Sequence, residues 1–297
     1  MAADLLALMW MPFLMCLVLT GIHAYLGIHV LAREVVFVDI ALAQIAAFGA
    51  TTAYVLGWDV HTWESYAFGI GFTVLGALVL ALTRSRERHV SQEAIIGVVY
   101  AVSSAAAVLV ADRTPHGMEH LRSMLVGSIL SVSGSEVLKV GLLYAGIGLF
   151  HWWCRRPFFV ISTAPERAFR EGWAVRGWDF LFYASFGVVV TSSVRIGGVL
   201  LVFSYLIVPA LAGILLGGRL GTRLVIGWIF GTAVSVLGMV GSAVLDLPTG
   251  ATVVCAFGAA LVVLGIYAKA AGRYSGLLGP QALRTARATP SLREDRS

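Results

Sequence analysis

Apolar runs follow one another along almost the whole chain, at about residues 5–31, 35–57, 65–83, 92–111, 136–153, 179–194, 197–216, 223–244 and 250–270. A helix rises ~1.5 Å per residue and a hydrocarbon core is ~30 Å thick, so about 20 apolar residues cross it. Only helices and closed barrels satisfy every backbone N–H and C=O in lipid, and these runs are too long for barrel strands. The pattern predicts an all-α polytopic membrane protein of eight to nine spans. The run at 179–194 is short and, paired with the next run as a shallow or re-entrant unit, makes the count eight. The segment 121–134 is apolar but too short to cross and is expected at the outer surface as an interfacial or re-entrant helix.

Composition agrees with this class. The chain is 59% apolar and only 12% charged, with mean hydropathy +0.87, against about 25% charged residues in soluble domains. A net charge of +5 and pI near 9.3 do not indicate nucleic acid, because the arginines fall between apolar runs and have no interleaved aromatic residues. Seventeen of the 21 Lys and Arg residues follow odd-numbered runs, and three (Arg113, Arg122, Arg195) follow even-numbered ones. The positive-inside rule then places the odd ends in the cytosol, the N-terminus outside and the C-terminus inside. The N-terminal run is too long for a signal h-region and is read as the first helix. Residues 1–271 are expected to form one transmembrane domain, and 272–297, polar and rich in Arg, a disordered cytosolic tail. Cys16, Cys154 and Cys255 show neither disulfide nor metal spacing.

Few residues in the spans carry chemistry. Asp39 stands near the start of the second run, VVFVDIALAQIAAFGA. Inserting Asp at a helix centre costs about 2.5–3.5 kcal/mol, so it should face a bundle interior, a water-filled path or a partner such as Arg33. Pro209 sits inside GGVLLVFSYLIVPALAGILL, lacks a backbone donor, and is expected to kink or break that helix. Gly227, Gly231 and Ser235 recur every four residues and should let another helix approach closely. His23 and His29 lie six residues apart, too far round a helix to make a ligand pair, and are read as core histidines. His116 and His120 could form a metal-collecting outer rim if their loop were helical, but Pro115 and Gly117 argue against a helix. There is no H-E-x-x-H cluster and no G-x-x-x-x-G-K-[ST] phosphate loop, so neither zinc hydrolysis nor ATP binding of that kind is expected of this chain.

Three stretches together resemble the zinc and manganese uptake permeases of ATP-binding cassette importers. Arg33–Gly49 is similar to the family's second helix, which carries G-D-x-L-x-H-A. The run 197–216 is similar to its G-x-L-L-x-x-x-L-I-x-P-A-x-x-A pattern, and LDLPTGATVV at 245–254 to its D-x-P-x-G turn. The resemblance covers nearly the whole length and implies a permease fold, non-enzymatic in itself and without a covalent cofactor. It implies a divalent cation (Zn, Mn or Fe) as cargo, ATPase subunits on the cytosolic side, an extracytoplasmic solute-binding protein, and a homodimer in the bacterial inner membrane with the ion path between two copies. By this resemblance Asp39 and Gln44 lie on the path, and ATPase coupling falls on the turn 217–223, with Arg219, Leu220, Gly221 and Arg223. A second coupling candidate is APERAFREG at 164–172, with Glu166. The family histidine falls on Gln44, five residues after Asp39 instead of four. On a regular helix that spacing separates the two by about 140°, whereas a π-bulge would bring Gln44 back to the Asp39 face. An amide oxygen in place of imidazole hardens the site and favours manganese or iron over zinc. A permease for another small solute, or an ATP-independent cation transporter, is the alternative reading.

Overall fold

The computed structural model describes residues 2–59, 62–84 and 91–271. Eleven α-helices and one 3₁₀ turn make up the described residues, with no strand among them. The predicted tail, 272–297, lies outside them. Helices α1 (Ala2–Ala32), α2 (Val38–Val55), α3 (Trp63–Leu82) and α4 (Gln92–Ala111) follow the first four apolar runs. They begin where the sequence turns polar. The Thr62 hydroxyl accepts from Ser65 N ahead of α3, and that of Ser91 from Ala94 N ahead of α4. These bonds satisfy amides that have no partner in a helix's first turn.

The next segment comprises α5 (Gly117–Val126), a 3₁₀ turn (Ile129–Ser131) and α6 (Gly134–Trp153). A full capping box starts α6: Ser133 Oγ accepts from Glu136 N, and the Glu136 carboxylate accepts from Ser133 N. Ser133→Ala is expected to cost about 1 kcal/mol, read as a small drop in the thermal midpoint in detergent. At Cys154 the chain bends by 75° into α7 (Arg155–Thr163), which leads to the short α8 (Pro165–Arg170). The last three helices are α9 (Val175–Leu216), α10 (Leu220–Leu245) and α11 (Thr249–Ala270).

Seven helices among the described residues are long and apolar enough to cross a membrane, and the bent α6–α7 pair makes an eighth. With 42 residues, α9 is about 63 Å long, twice a hydrocarbon core. Its contacts show how that length is used. Arg33 bonds Asp179, His29 packs on Phe182 and His23 bonds Ser193, so the first half of α9 runs antiparallel to α1. Trp228 bonds Gly21 O and Cys16 touches Met239, so α10 is antiparallel to α1 as well. Tyr205 bonds Ser235, and Gly213 abuts Arg223, so the second half of α9 is antiparallel to α10. The two halves therefore run in opposite directions, as a helical hairpin whose tip is Gly198, the one residue of α9 with non-helical dihedrals (φ 76, ψ 163). The apolar runs at 179–194 and 197–216 are its two arms, and the first is helical from Val175 and long enough to cross.

This corrects the expectation at Pro209, where the helix continues without a break. The close-approach stripe on α10 explains why. A Cβ on Gly227 would stand 2.9 Å from Pro209 O, and one on Gly231 3.1 Å from the Pro209 ring. The proline is seated against bare backbone, and the chain breaks instead at a glycine that can take a positive φ. Another glycine braces the tip: Gly127 (φ +68) lies so close that a Cβ there would be 2.2 Å from Gly197 and Gly198 backbone atoms, and Ser128 N donates to Ile196 O at 3.0 Å. The 121–134 segment thus meets the bundle at the hairpin tip, with Ile129 and Val132 buried.

Helix α2 and the first arm of α9 occupy the centre. Leu42, Phe182, Tyr183 and Phe186 are fully buried there, and Tyr205 of the second arm is fully buried as well. Alternating helix directions collect Arg33, Arg84, α7, α8 and the 217–219 turn at one end of the bundle, the arginine-rich end.

Candidate functional site

Most of α2 is covered, but one stripe is not. Phe37, Ile40, Gln44 and Phe48 recur at helical spacing on a single face. Phe37 is 51% exposed, Ile40 and Phe48 are half-buried, and Gln44 is nearly covered. A matching stripe on the second arm of α9 carries Leu200, which is 65% exposed, Phe203, Ile207 and Leu211. The rings of Phe37 and Phe203 stack, with centroids 6.4 Å apart and 10° between planes, which joins the two stripes into one apolar face. Gln44 is the one amide on it.

Asp39 is turned away from that face. It is 2% exposed, and its Oδ1 accepts from Ile40 N at 2.8 Å, within the first turn of its own helix. From α4, Glu93 Oε1 accepts from Phe37 N at 3.0 Å. Two carboxylates thus close the N-terminus of α2, where unpaired amides and the helix dipole favour negative charge. The π-bulge expectation is corrected: α2 is regular α-helix from Val38 to Val55, so Asp39 and Gln44 do not share a face. Arg33 pairs with Asp179, not with Asp39.

The histidines resolve in different ways. His23 bonds Leu19 O at 2.8 Å and the Ser193 hydroxyl at 3.2 Å, and His29 bonds the Ser162 hydroxyl at 2.9 Å; both are buried in the core. His116 is exposed, with φ 66, and lies 3.4 Å from Glu119. Against expectation, a helix starts immediately after it. Gly117 makes this possible, since a Cβ there would stand 2.2 Å from Ala111 O. The side chain of His120 lies outside the described residues. Among the described residues no three His, Cys, Asp or Glu side chains are grouped to hold a metal.

The predicted coupling turn is shorter than expected. Only Gly217–Arg219 lies between helices, because Leu220, Gly221 and Arg223 already belong to α10. Arg223 Nε donates to Gly217 O at 3.1 Å and holds the turn closed. The other candidate is a folded unit. Ile161 of α7, Ala168 of α8 and Val175 of α9 form a small core with Phe169, Trp173 and Trp178 around it. Glu166 stands in the first turn of α8, and an exposed Arg167–Glu171 ion pair at 2.6 Å holds the Glu171 carboxyl below its usual range.

A buried ionic cluster at the arginine-rich end was not anticipated. Arg33 Nη1 donates to Asp179 Oδ1 at 2.5 Å, Arg33 Nε to the Ser162 hydroxyl at 2.8 Å, and Arg84 Nε lies 3.3 Å from Asp179 Oδ2. The Arg33 guanidinium also covers the Phe182 ring at 3.9 Å. A signal existed: Asp179 is a lone acid at the head of an apolar run, which lipid tolerates only with a partner. Nearer the other end, Thr191, Ser192 and Ser193 bond in turn to Thr73, Tyr66 and Tyr144, and so fix the first arm of α9 to α3 and α6.

Fold and site together define a multi-pass, all-helical membrane permease. The chain matches the model of the ABC 3 transport family over residues 6–268 and belongs to that family. It is 25% identical over 234 residues to the "Manganese transport system membrane protein MntC" of Halalkalibacterium halodurans, covering 77% of this chain and 76% of the relative. It is 22% identical over 237 residues to the "Probable iron transport system membrane protein" of Haemophilus influenzae, covering 79% and 80%. Among solved structures, its fold is similar to PsaBC from Streptococcus pneumoniae in complex with Fab. The TM-score is 0.73 at 18% identity, with 89% of this chain and 95% of that chain covered.

Proposed function

We propose that this chain is the membrane-spanning subunit through which an ATP-binding cassette importer passes a divalent metal cation, manganese or iron in preference to zinc, into a bacterial cell. Membership of the ABC 3 transport family, with relatives named for manganese and iron transport, carries the reading. The apolar face of α2 and the second arm of α9 is the surface two copies present to each other, with the path between them. Gln44 lies on that path. Asp39 stands five residues, about 7.5 Å, nearer the arginine-rich end and behind that face, so a passing cation meets Gln44 directly and the Asp39 charge only at a distance, not as one ligand pair. A weak arrangement suits an ion that must leave again.

The arginine-rich end faces the cytosol. Separate ATPase subunits dock there on α8, through Glu166, and on the 217–223 segment with Arg219, Leu220, Gly221 and Arg223. A solute-binding protein delivers cargo at the opposite end, where exposed His116, just before α5, and His120 on α5 form part of the rim. Closure of the ATPases then rocks α9 and α10 about Gly198 and changes the side from which the path is open.

Co-reconstitution of the chain with its ATPase and binding protein in vesicles tests this. The expected result is cation uptake that requires ATP, with hydrolysis stimulated by manganese or iron more than by zinc. Uptake without nucleotide would make the chain an autonomous transporter, and hydrolysis indifferent to every divalent cation would assign another small solute. In the same assay Asp39→Ala is expected to abolish uptake while leaving the complex assembled; retained uptake would reduce Asp39 to an anchor of α2.

A further inference from the structure

Asp179 sits where four helices meet. It closes on Arg33 at the end of α1 and on Arg84 just beyond α3, while Arg33 also holds Ser162 of α7. The Ser162 hydroxyl in turn bonds His29, one turn further up α1. Both side chains of the Arg33–Asp179 pair are fully buried, whereas Arg84 is 10% exposed. Charges so placed are costly unless paired, and removing one partner strands the other.

The cluster belongs mechanically to two bodies. Ser162 is part of the α7–α8 unit, and Asp179 lies one turn beyond Val175, through which the Ile161, Ala168 and Val175 core binds that unit to the start of α9. Arg33 and Arg84 stand just past the ends of α1 and α3 of the transport bundle. The α6–α7 elbow is held at the bundle edge by exposed Trp152 and Trp153, with Arg155 4.9 Å over the Trp152 ring. Such an aromatic and basic pair suits the headgroup layer. A unit that swings about that elbow transmits its motion inward through the ionic cluster.

Bonding capacity in the cluster is only partly used. Arg33 Nη2 and the Tyr183 hydroxyl are buried with no hydrogen-bond partner, and Asp179 Oδ2 has only the long contact to Arg84. Two idle donors beside an under-used acceptor allow a second arrangement, in which a small shift of the first turn of α9 lets Asp179 take both Arg33 nitrogens, as planar guanidinium and carboxylate groups favour. Packed ionic networks of this kind switch between discrete states rather than deform smoothly.

We propose that Asp179 is a positioning residue for energy coupling: the Arg33–Asp179–Arg84 cluster is a two-position latch that carries movement of the α7–α8 unit into α1 and α3. This rests on the proposed function, and its test separates the two. Uptake and ATP hydrolysis are measured together in the reconstituted full complex, for wild type and Asp179→Asn. Hydrogen exchange of residues 155–170 is followed in the same complexes. Asp179→Asn is expected to hydrolyse ATP while uptake per ATP falls about tenfold, with faster exchange in α7 and α8 and partial rescue by Asp179→Glu. Uptake and hydrolysis that change in proportion, together with unchanged exchange, would overturn the latch. If Asp179→Asn does not assemble, Arg84→Gln at the rim loosens the cluster without emptying its centre, and the same two readouts decide. Should the wild-type complex show no ATP-driven uptake, the proposed function fails, while the exchange comparison still decides whether Asp179 ties the unit to the bundle.

Discussion

Gly27→Ala is expected to remove most folded protein from the membrane. A Cβ at that position would stand 1.9 Å from Leu206 O and 2.9 Å from the Ala210 side chain, so α1 could not remain seated on the second arm of α9. The obstacle is backbone, which has no rotamer by which to yield. Over-packing typically costs about 1–3 kcal/mol, and this site belongs at the upper end. Thermal unfolding in detergent and the yield of monodisperse protein measure the effect. Gly71→Ala in α3 is the control: nothing lies within 4 Å of its would-be Cβ, and exchanging a helix-interior Gly for Ala should be neutral or favourable by up to about 1 kcal/mol.

The second large effect is expected at the hairpin tip. Gly198 holds φ 76 and ψ 163, a region that is essentially reserved for glycine, where another residue stores of order 1–3 kcal/mol of strain. Gly198→Ala is expected to abolish uptake, because the tip would relax towards helix and push apart the close seat of Gly127 on Gly197 and Gly198. The decisive comparison is uptake by Gly198→Ala against its thermal midpoint. Loss of uptake with only a modest stability loss marks the tip as a pivot, and normal uptake would remove it from the mechanism. Gly127→Ala attacks the same contact from the other partner and should fail in the same way.

The fold was legible because hydrophobic length is a one-dimensional quantity. The apolar runs near 5–31, 35–57, 65–83 and 92–111 became α1 to α4 with ends shifted by a few residues. The close-approach glycines of α10 were legible too, since small residues every four positions have few other uses; Gly231 indeed lies against Thr20 and Pro209. Pro209 misled because the rule that proline breaks a helix describes an isolated helix, and here α10 supplies room for the ring. The break fell at Gly198, one of 33 glycines, and nothing local sets that one apart. His116 misled through the same kind of locality: Gly117 was counted as a helix breaker, yet it starts a helix because only glycine fits beneath Ala111 O.

The site was less legible. Asp39 was found because an acid in an apolar run is rare, but which way it faces depends on α3, α4 and α9, elements that sequence cannot place around it. The family resemblance supplied the second helix and left the register between Asp39 and Gln44 open, and the regular helix fixed it. Asp179 stayed hidden for a related reason. Arg33 and Arg84 had already been explained as topology markers, and a residue with one sufficient explanation is seldom asked for another.

Closing the α9 hairpin on one residue has an effect on how this protein can be handled and can evolve. Two neighbouring passes of the membrane meet with no exposed linker between them, so there is no place at that corner to insert a tag, an epitope or a protease site without unseating Gly127. Length changes there must alter both arms at once.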